Sequence, residues 1–287
     1  MALYGHTVAG LERYCYADSR ARGAVVVGLA VGVPVVLGAL VPGGLLGTAL
    51  ATWTVLGAAS LRREAGTLHR LLAVEDLPAA RSRVTHLVGR DPSSLDAAEI
   101  ARAGVESVAE NTSDAAVAPL LWGAIAGIPG LLGYRAVNTL DAMFGHRSAR
   151  YERFGWAAAR LDDVVNLIPA RLTAGLAAIT SRRPTATWRI VRRDARRHPS
   201  PNAGGCEAAF AGALGVRLGG RNRYGARVED RPHLGNGRRP EPADLPRAAA
   251  LSGRVTGVAA LLAATVAASR GGAFGGSPGG APGGARA

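Results

Sequence analysis

The chain has 287 residues, two cysteines and a formal charge of +13, and 48% of its residues are apolar while only 5% are aromatic. Isolated Cys15 and Cys206 argue against a disulfide scaffold or a cysteine metal site, and the six histidines show neither H-x-x-H nor H-E-x-x-H spacing. Every basic residue is Arg, which excludes a Walker A loop, so any phosphate must be held by Arg, backbone N–H groups or a metal.

Residues 1–22 read as a short amphipathic helix. Glu12, Arg13, Asp18, Arg20 and Arg22 precede the first apolar run, so that run is an anchor rather than a cleavable signal. Residues 23–61 carry no charge and no His. Fully helical, they would extend roughly 58 Å against a hydrocarbon core of about 30 Å. The length predicts a membrane hairpin of two spans turning at Val41-Pro42-Gly43-Gly44; the alternative is a pair of buried helices in a soluble protein. Residues 62–104 are soluble in character and mostly helical. After Asp91-Pro92 a helix begins, with Ser93 or Ser94 as the expected N-cap and Ile100, Val105 and Val108 on one side.

Residues 115–134 form a second uncharged run, broken by Gly127, Pro129 and Gly130. Such a break is tolerated at membrane depth when it is packed in protein or lines a cavity. If 115–134 crossed fully, the acids on its two sides would face opposite compartments. The run is therefore expected to be re-entrant or packed inside the protein, with both acidic groups on the cytoplasmic side. Residues 151–181 read as helix, interrupted at Pro169 and Arg171. Residues 182–197 hold seven Arg and one Asp. Nucleic-acid binding is one reading of that density. Scarce aromatics and adjoining apolar helices favour a lipid-facing juxtamembrane segment and no nucleic-acid partner.

Residues 198–205 are a rigid polar turn, 206–219 a small-residue helix, and 220–247 a long Arg/Pro/Gly loop of a length more often functional than idle. Residues 248–269 predict a final apolar helix, and 271–287 a disordered Gly/Pro tail. With no strand-period alternation, the expected class is all-α. The expected architecture is a polytopic integral membrane helical bundle with re-entrant or broken apolar segments. It forms one domain over 1–269, with the hairpin at 23–61 and the polar motifs at 62–247.

Ionisable groups against membrane-grade apolar sequence are functional candidates by default. Glu106, Glu110 and Asp114 recur at i, i+4 and i+8 and share one helical face. Glu110 and Asp114 beside Asn111 suit Mg²⁺, which takes one or two carboxylates plus substrate phosphates; the bland reading makes Asp114 a helix cap. Asn138 and Asp141 form an i, i+3 pair, read equally well as capping after Gly133-Tyr134. Arg160, Asp162, Asp163, Asn166 and Arg171 form a third group, whose plain reading is a buried ion-pair network. In His198-Pro199-Ser200-Pro201-Asn202, two prolines fix the backbone and Ser200 and Asn202 present donors to an anion; the plain reading is a capped loop. Together these groups suggest a metal–phosphate site with Arg as counter-charge.

The order and wording of VESVAENTSDAAVAPLLWGAIAGIPG, YRAVNTLDAM, ARLDDVVNLIPARL, HPSPNAGG and GGRNRYG resemble the adenosylcobinamide-phosphate synthase family of cobalamin biosynthesis, over roughly residues 8 to 262. The resemblance implies a cell-membrane, multi-pass enzyme that joins aminopropanol, free or phosphorylated, to a carboxylate of adenosylcobyric acid. It implies amide-bond formation driven by ATP with Mg²⁺, and it allows association with other enzymes of that pathway. The residues expected to carry the chemistry are Glu110, Asp114, Asp141, Asp162, Asp163 and Arg160, with Glu110, Asp114 and Asp163 as metal ligands. Asn111, Asn138, Asn166, Arg171, His198, Ser200, Asn202, Asn222 and Tyr224 are expected to bind substrate, the last two from the loop Gly219–Tyr224. The family pattern begins with a further apolar helix, and Met1 falls in the segment that follows it. A corrinoid-binding carrier without ligase chemistry is the alternative, because intramembrane acids and broken helices serve transport as well. A purely structural membrane partner would instead tolerate Ala at the acidic positions.

Overall fold

The computed structural model describes residues 2–42, 44–89, 91–146, 148–224 and 227–274, with backbone alone at 2, 3, 224, 227 and 271–274. In chain order the helices are α1 (Ala2–Cys15), α2 (Arg20–Leu40), α3 (Leu45–Val55), α4 (Ala58–Ala73), α5 (Leu77–Val84), α6 (Ala97–Thr112) and α7 (Ala118–Leu140). Then come α8 (Tyr151–Phe154), α9 (Trp156–Val165), α10 (Leu167–Ile179), α11 (Pro184–Asp194), α12 (Ala203–Leu214) and α13 (Asp244–Phe274), with strands β1 (Leu218–Tyr224) and β2 (Arg227–Leu234) before the last helix. The expected all-α membrane bundle is what forms. Among the described residues three helical runs are long and apolar enough to cross a membrane: Arg20–Leu40, Ala97–Gly145 and Asp244–Arg270.

The first hairpin turns where the Pro-Gly pair predicts, but its return limb is short. α3 ends at Val55, and Gly57 N–H bonds to the Ala115 carbonyl (2.9 Å) before α4 begins. At 1.5 Å per residue α3 covers only about 16 Å, so it does not form the predicted second span by itself. The lipid-grade surface is clear on both limbs: Val25, Leu29, Val33, Val36, Leu37, Leu45, Leu46 and Leu50 are all exposed.

The second apolar run doubles back. Gly127 adopts φ +63, ψ −145, a conformation that side chains avoid and that breaks α7 in two. A side chain at Gly130 would collide with the Trp122 carbonyl, eight residues earlier, whereas a straight helix would hold those residues about 12 Å apart. From Asp114 to the reversal and back to Asp141 is roughly 20 Å each way, short of the hydrocarbon thickness. The returning limb packs along α2, with small residues at the contacts: Gly38 meets Pro129 and Gly133 meets Val35. Both acidic ends of the run therefore arrive at the same end of the bundle.

Two buried clusters make the core. One gathers Leu68, Ile100, Phe210, Leu245 and Leu251 from α4, α6, α12 and α13. The other gathers Val8, Val26, Leu140, Phe144 and Phe154. Their seam is where the acidic residues collect.

Several local expectations are corrected. The cap of α6 is Asp96, in a reciprocal capping box with Glu99, while Ser93 belongs to an Asp91-centred turn. Asp114 caps nothing: it lies in a π-helical turn, Ser113–Val117, that joins α6 to α7 without a stop. No turn occurs at Gly133-Tyr134, which are inside α7.

The expected loop at 220–247 is largely an antiparallel hairpin pairing Arg221 with Asp230 and Asn222 with Glu229. Its strands are polar on both faces, so no alternation announces them. The buried Arg102–Glu106 pair pins it instead. Arg102 donates to the carbonyls of Gly219 (2.8 Å) and Arg221 (2.9 Å), and Glu106 accepts from Gly219 N–H (2.9 Å). Gly219 sits at φ +79 beside a register shift, where a side chain would strike the Pro232 carbonyl. The last helix starts at Asp244 and runs past its expected end to Phe274. The remainder of the predicted tail, 275–287, lies outside the described residues.

Candidate active site

Glu110, Ser113, Asp114, Asp162, Asp163, Asn166, Ser200, Asn202 and Cys206 line one cavity of about 30 Å³, room for one or two water-sized occupants. Glu110 comes from α6 and Asp114 from the π turn that follows it. A second π-helical turn, Asp141–Gly145, ends α7 and carries Asp141. π turns are rare, and they recur at functional sites because the extra residue widens the helix and redirects side chains. Asp162, Asp163 and Asn166 come from the end of α9, and Ser200 and Asn202 from the turn before α12. Glu110, Asp114, Asp141 and Asp162 lie close enough to feel one another's charge.

Burial, reinforced by the charge of Asp141, raises the Asp162 carboxyl to about 7. The Asn166 side chain lies near enough to offset part of that rise, yet neither Asp162 Oδ1 nor Asn166 Nδ2 completes a well-formed hydrogen bond, while Asn166 Oδ1 accepts from Tyr134 O–H (3.0 Å). Such orphaned atoms are costly and mark a place for a ligand to complete the set. Ser200 Oγ accepts from the N–H groups of Asn202 (3.3 Å) and Ala203 (3.1 Å), which locks the turn. Asn202 Nδ2 donates to the Asp163 carbonyl (2.8 Å), so the turn and α9 are fastened together across the cavity. Burial pushes the Cys206 thiol well above its usual range, so it is a neutral wall and not a nucleophile.

The predicted residues divide into those the fold brings together and those it does not. Glu110, Asp114, Asp162, Asp163, Asn166, Ser200 and Asn202 converge on the cavity, with Asp141 in electrostatic reach. His198 is buried behind the turn. Its Nδ1 accepts from Ser200 N–H (3.1 Å), so Nε2 carries the proton and faces Glu207 Oε1 at 3.7 Å. Arg171 sits at the rim and donates to Asn202 Oδ1 (3.4 Å), and exposed Arg160 pairs with Asp163 (3.5 Å). Asn111 is turned back on its own helix, donating to the Ser107 carbonyl (3.0 Å), and Asn138 accepts from Arg135 (3.1 Å). Asn222 is buried under the hairpin, accepting from Arg102 (3.1 Å). The Tyr224 side chain lies outside the described residues.

Among the described residues no three His, Cys, Asp or Glu side chains form a ready metal shell, so Glu110, Asp114 and Asp163 are not a closed cage. Clustered carboxylates beside the orphaned Asp162 oxygen nonetheless fit a hard cation that completes its shell with substrate oxygens. Two guanidinium groups that sequence reasoning missed act on these acids: Arg135 on Asp114, and Arg231, from β2, on Glu110 and His198. Arg135 adjoins the NTLD motif, which was a usable signal. Arg231 lies in a stretch read as loop, and nothing in its neighbours points inward.

No solved structure matches this chain. It is 53% identical to the cobalamin biosynthesis protein CobD of Mycobacterium tuberculosis (strain CDC 1551 / Oshkosh) over 272 residues, covering 91% of this chain and 87% of that protein. It is 48% identical to the cobalamin biosynthesis protein CobD of Rhodobacter capsulatus over 259 residues, covering 85% and 82%. The CobD/Cbib protein family model matches residues 1–252. With that match falling on the helices and turns that build the acidic cavity, the chain belongs to the CobD/Cbib family of cobalamin-biosynthesis enzymes.

Proposed function

We propose that this chain joins aminopropanol, or its phosphate, to a carboxylate of adenosylcobyric acid, in an amide-bond formation driven by ATP. The observation that carries this reading is the convergence of Glu110, Asp114, Asp162 and Asp163 on one cavity beside unpaired polar atoms. An amine does not displace oxide from a carboxylate at a useful rate. The carboxylate must first take a phosphoryl group from ATP, releasing ADP; the amine nitrogen then attacks the acyl carbon, and phosphate and a proton leave.

Glu110, Asp114 and Asp163 are the residues that would hold Mg²⁺, and Mg²⁺ would neutralise charge on the transferring phosphoryl group. The chain's own part is positioning and electrostatics. Arg135 and Arg231 supply positive charge beside the acids, and Arg171 holds the Asn202 amide at the rim. The turn Ser200–Asn202, fastened to Asp163, fixes the wall against which a substrate is oriented. The cytoplasmic side is supported by charge. Arg20, Arg22, Arg62 and Arg254 gather near the acidic end, while residues 41–50 around the opposite turn carry no charge and the reversal there meets Arg270 at the Ile125 carbonyl.

The test is ATP consumption by the purified protein in nanodiscs. Phosphate should be released only when the corrinoid acid and the amine are both present, with amide product in equal amount. ATP turnover indifferent to the amine, or corrinoid movement into sealed vesicles without ATP use, overturns the reading.

A further inference from the structure

Helix α11 carries a face that the cavity chemistry does not use. Its packed side, Thr187, Ile190, Val191 and Asp194, lies against α12, where Gly212 admits the Thr187 backbone closely. Its other side opens a groove of about 440 Å³ lined by Thr185, Trp188, Arg189, Arg192 and Arg193. Asp194 holds Arg193 through two 2.7 Å hydrogen bonds. Arg189 and Arg192 have no carboxylate partner among the described residues. Trp188 is 47% exposed.

The depth of this helix is set by its neighbours. The carbonyl of Thr180, just before α11, accepts from Arg254 (3.2 Å), which stands at the start of the lipid-grade stretch of α13 containing exposed Leu261, Leu262 and Val266. Ile179 is 74% exposed at the same level. The groove thus lies where apolar surface gives way to basic surface. An indole beside two uncommitted guanidinium groups at that depth matches the bilayer interface, where the ring sits among headgroups and the charges meet anionic lipid.

We propose that the Trp188–Arg189–Arg192 groove binds anionic phospholipid headgroups and seats α11 on the membrane surface. A soluble acidic partner would account for the charge but not for Trp188 and Ile179 at the edge of the apolar belt. This inference does not depend on the ligase reading.

The experiment compares the full chain with Trp188→Phe in nanodiscs of phosphatidylcholine containing a minor fraction of brominated lipid. The fluorescence difference between the two proteins isolates Trp188 from Trp53, Trp122 and Trp156. Brominated phosphatidylglycerol should quench Trp188 more than brominated phosphatidylcholine at the same fraction, by about fivefold for each arginine engaged. Arg189→Gln with Arg192→Gln should abolish the preference, and the double Lys variant should keep it. Equal quenching by the two lipids, or no Trp188 quenching, overturns the proposal. So does retention of the preference in the double Gln variant.

Discussion

Four carboxylates crowded around a small cavity repel one another, and the surrounding fold holds them together against that repulsion. Neutral replacements at such positions relieve repulsion while removing the groups that meet substrate or cation. Glu110→Gln and Asp114→Asn should therefore lower the rate of amide formation by about 100-fold each, while stability rises by about 0.5–2 kcal/mol. Initial rates and thermal unfolding in the same detergent check both halves. A fall in activity accompanied by a fall in stability would reduce these acids to structural members. The acids themselves were legible in the sequence, because carboxylates at helical spacing against apolar runs are rare unless used. Arg160 and Arg171 were legible only as charges; the fold puts both at the rim and gives Arg135 and Arg231 the inner positions.

At the level of elements, Asp194 ties three pieces together. It ends α11, is held by Arg193, lies 3.5 Å from Arg197, and accepts from Gly235 N–H (2.8 Å) just past β2. The Arg193 guanidinium holds its carboxyl below the usual range. A depressed folded-state value means that the ionised form favours the folded protein. That contribution is fully present above the unfolded value near 4 and is lost as pH falls through the folded one. Asp194→Asn should cost about 2 kcal/mol at pH 7, and the gap to the parent protein should close progressively below about pH 4. Unfolding curves across pH 3 to 7 measure this; a pH-independent gap contradicts it. Helices were readable from composition and periodicity. The two π-helical turns were not, because an added backbone residue leaves no compositional mark. The hairpin β1–β2 was hidden for a different reason: polar on both sides, it is held by Arg102 and Glu106 from α6, a contact more than a hundred residues away in sequence.

For the molecule as a whole, the reversal at Gly127 decides which groups share a compartment. Apolar length alone reads Ala97–Gly145 as a span, yet its break returns Asp141 to the level of Asp114. The Gly-Pro-Gly interruption was the legible part, and the direction of the returning limb was not. In a Cys15→Ser, Cys206→Ser background, single cysteines at exposed Val74 and Ala149 should react with a membrane-impermeant maleimide from one side of sealed vesicles. Both positions are exposed and lie outside the apolar runs. Labelling of the Val74 and Ala149 positions from opposite faces would contradict the doubled-back path.

The π-helical turns at Ser113–Val117 and Asp141–Gly145 also constrain how this chain can change in length. Each adds one residue to a helix that continues into it. Excising a single residue there would restore ordinary winding and leave the flanking stretches nearly in phase, but it would close the widened turn that aims the acid into the cavity. In the first turn, that would turn Asp114 off the site while the oily flank of 118–126 kept its neighbours. Descendants of this fold can exchange residues at these turns far more readily than they can lose one.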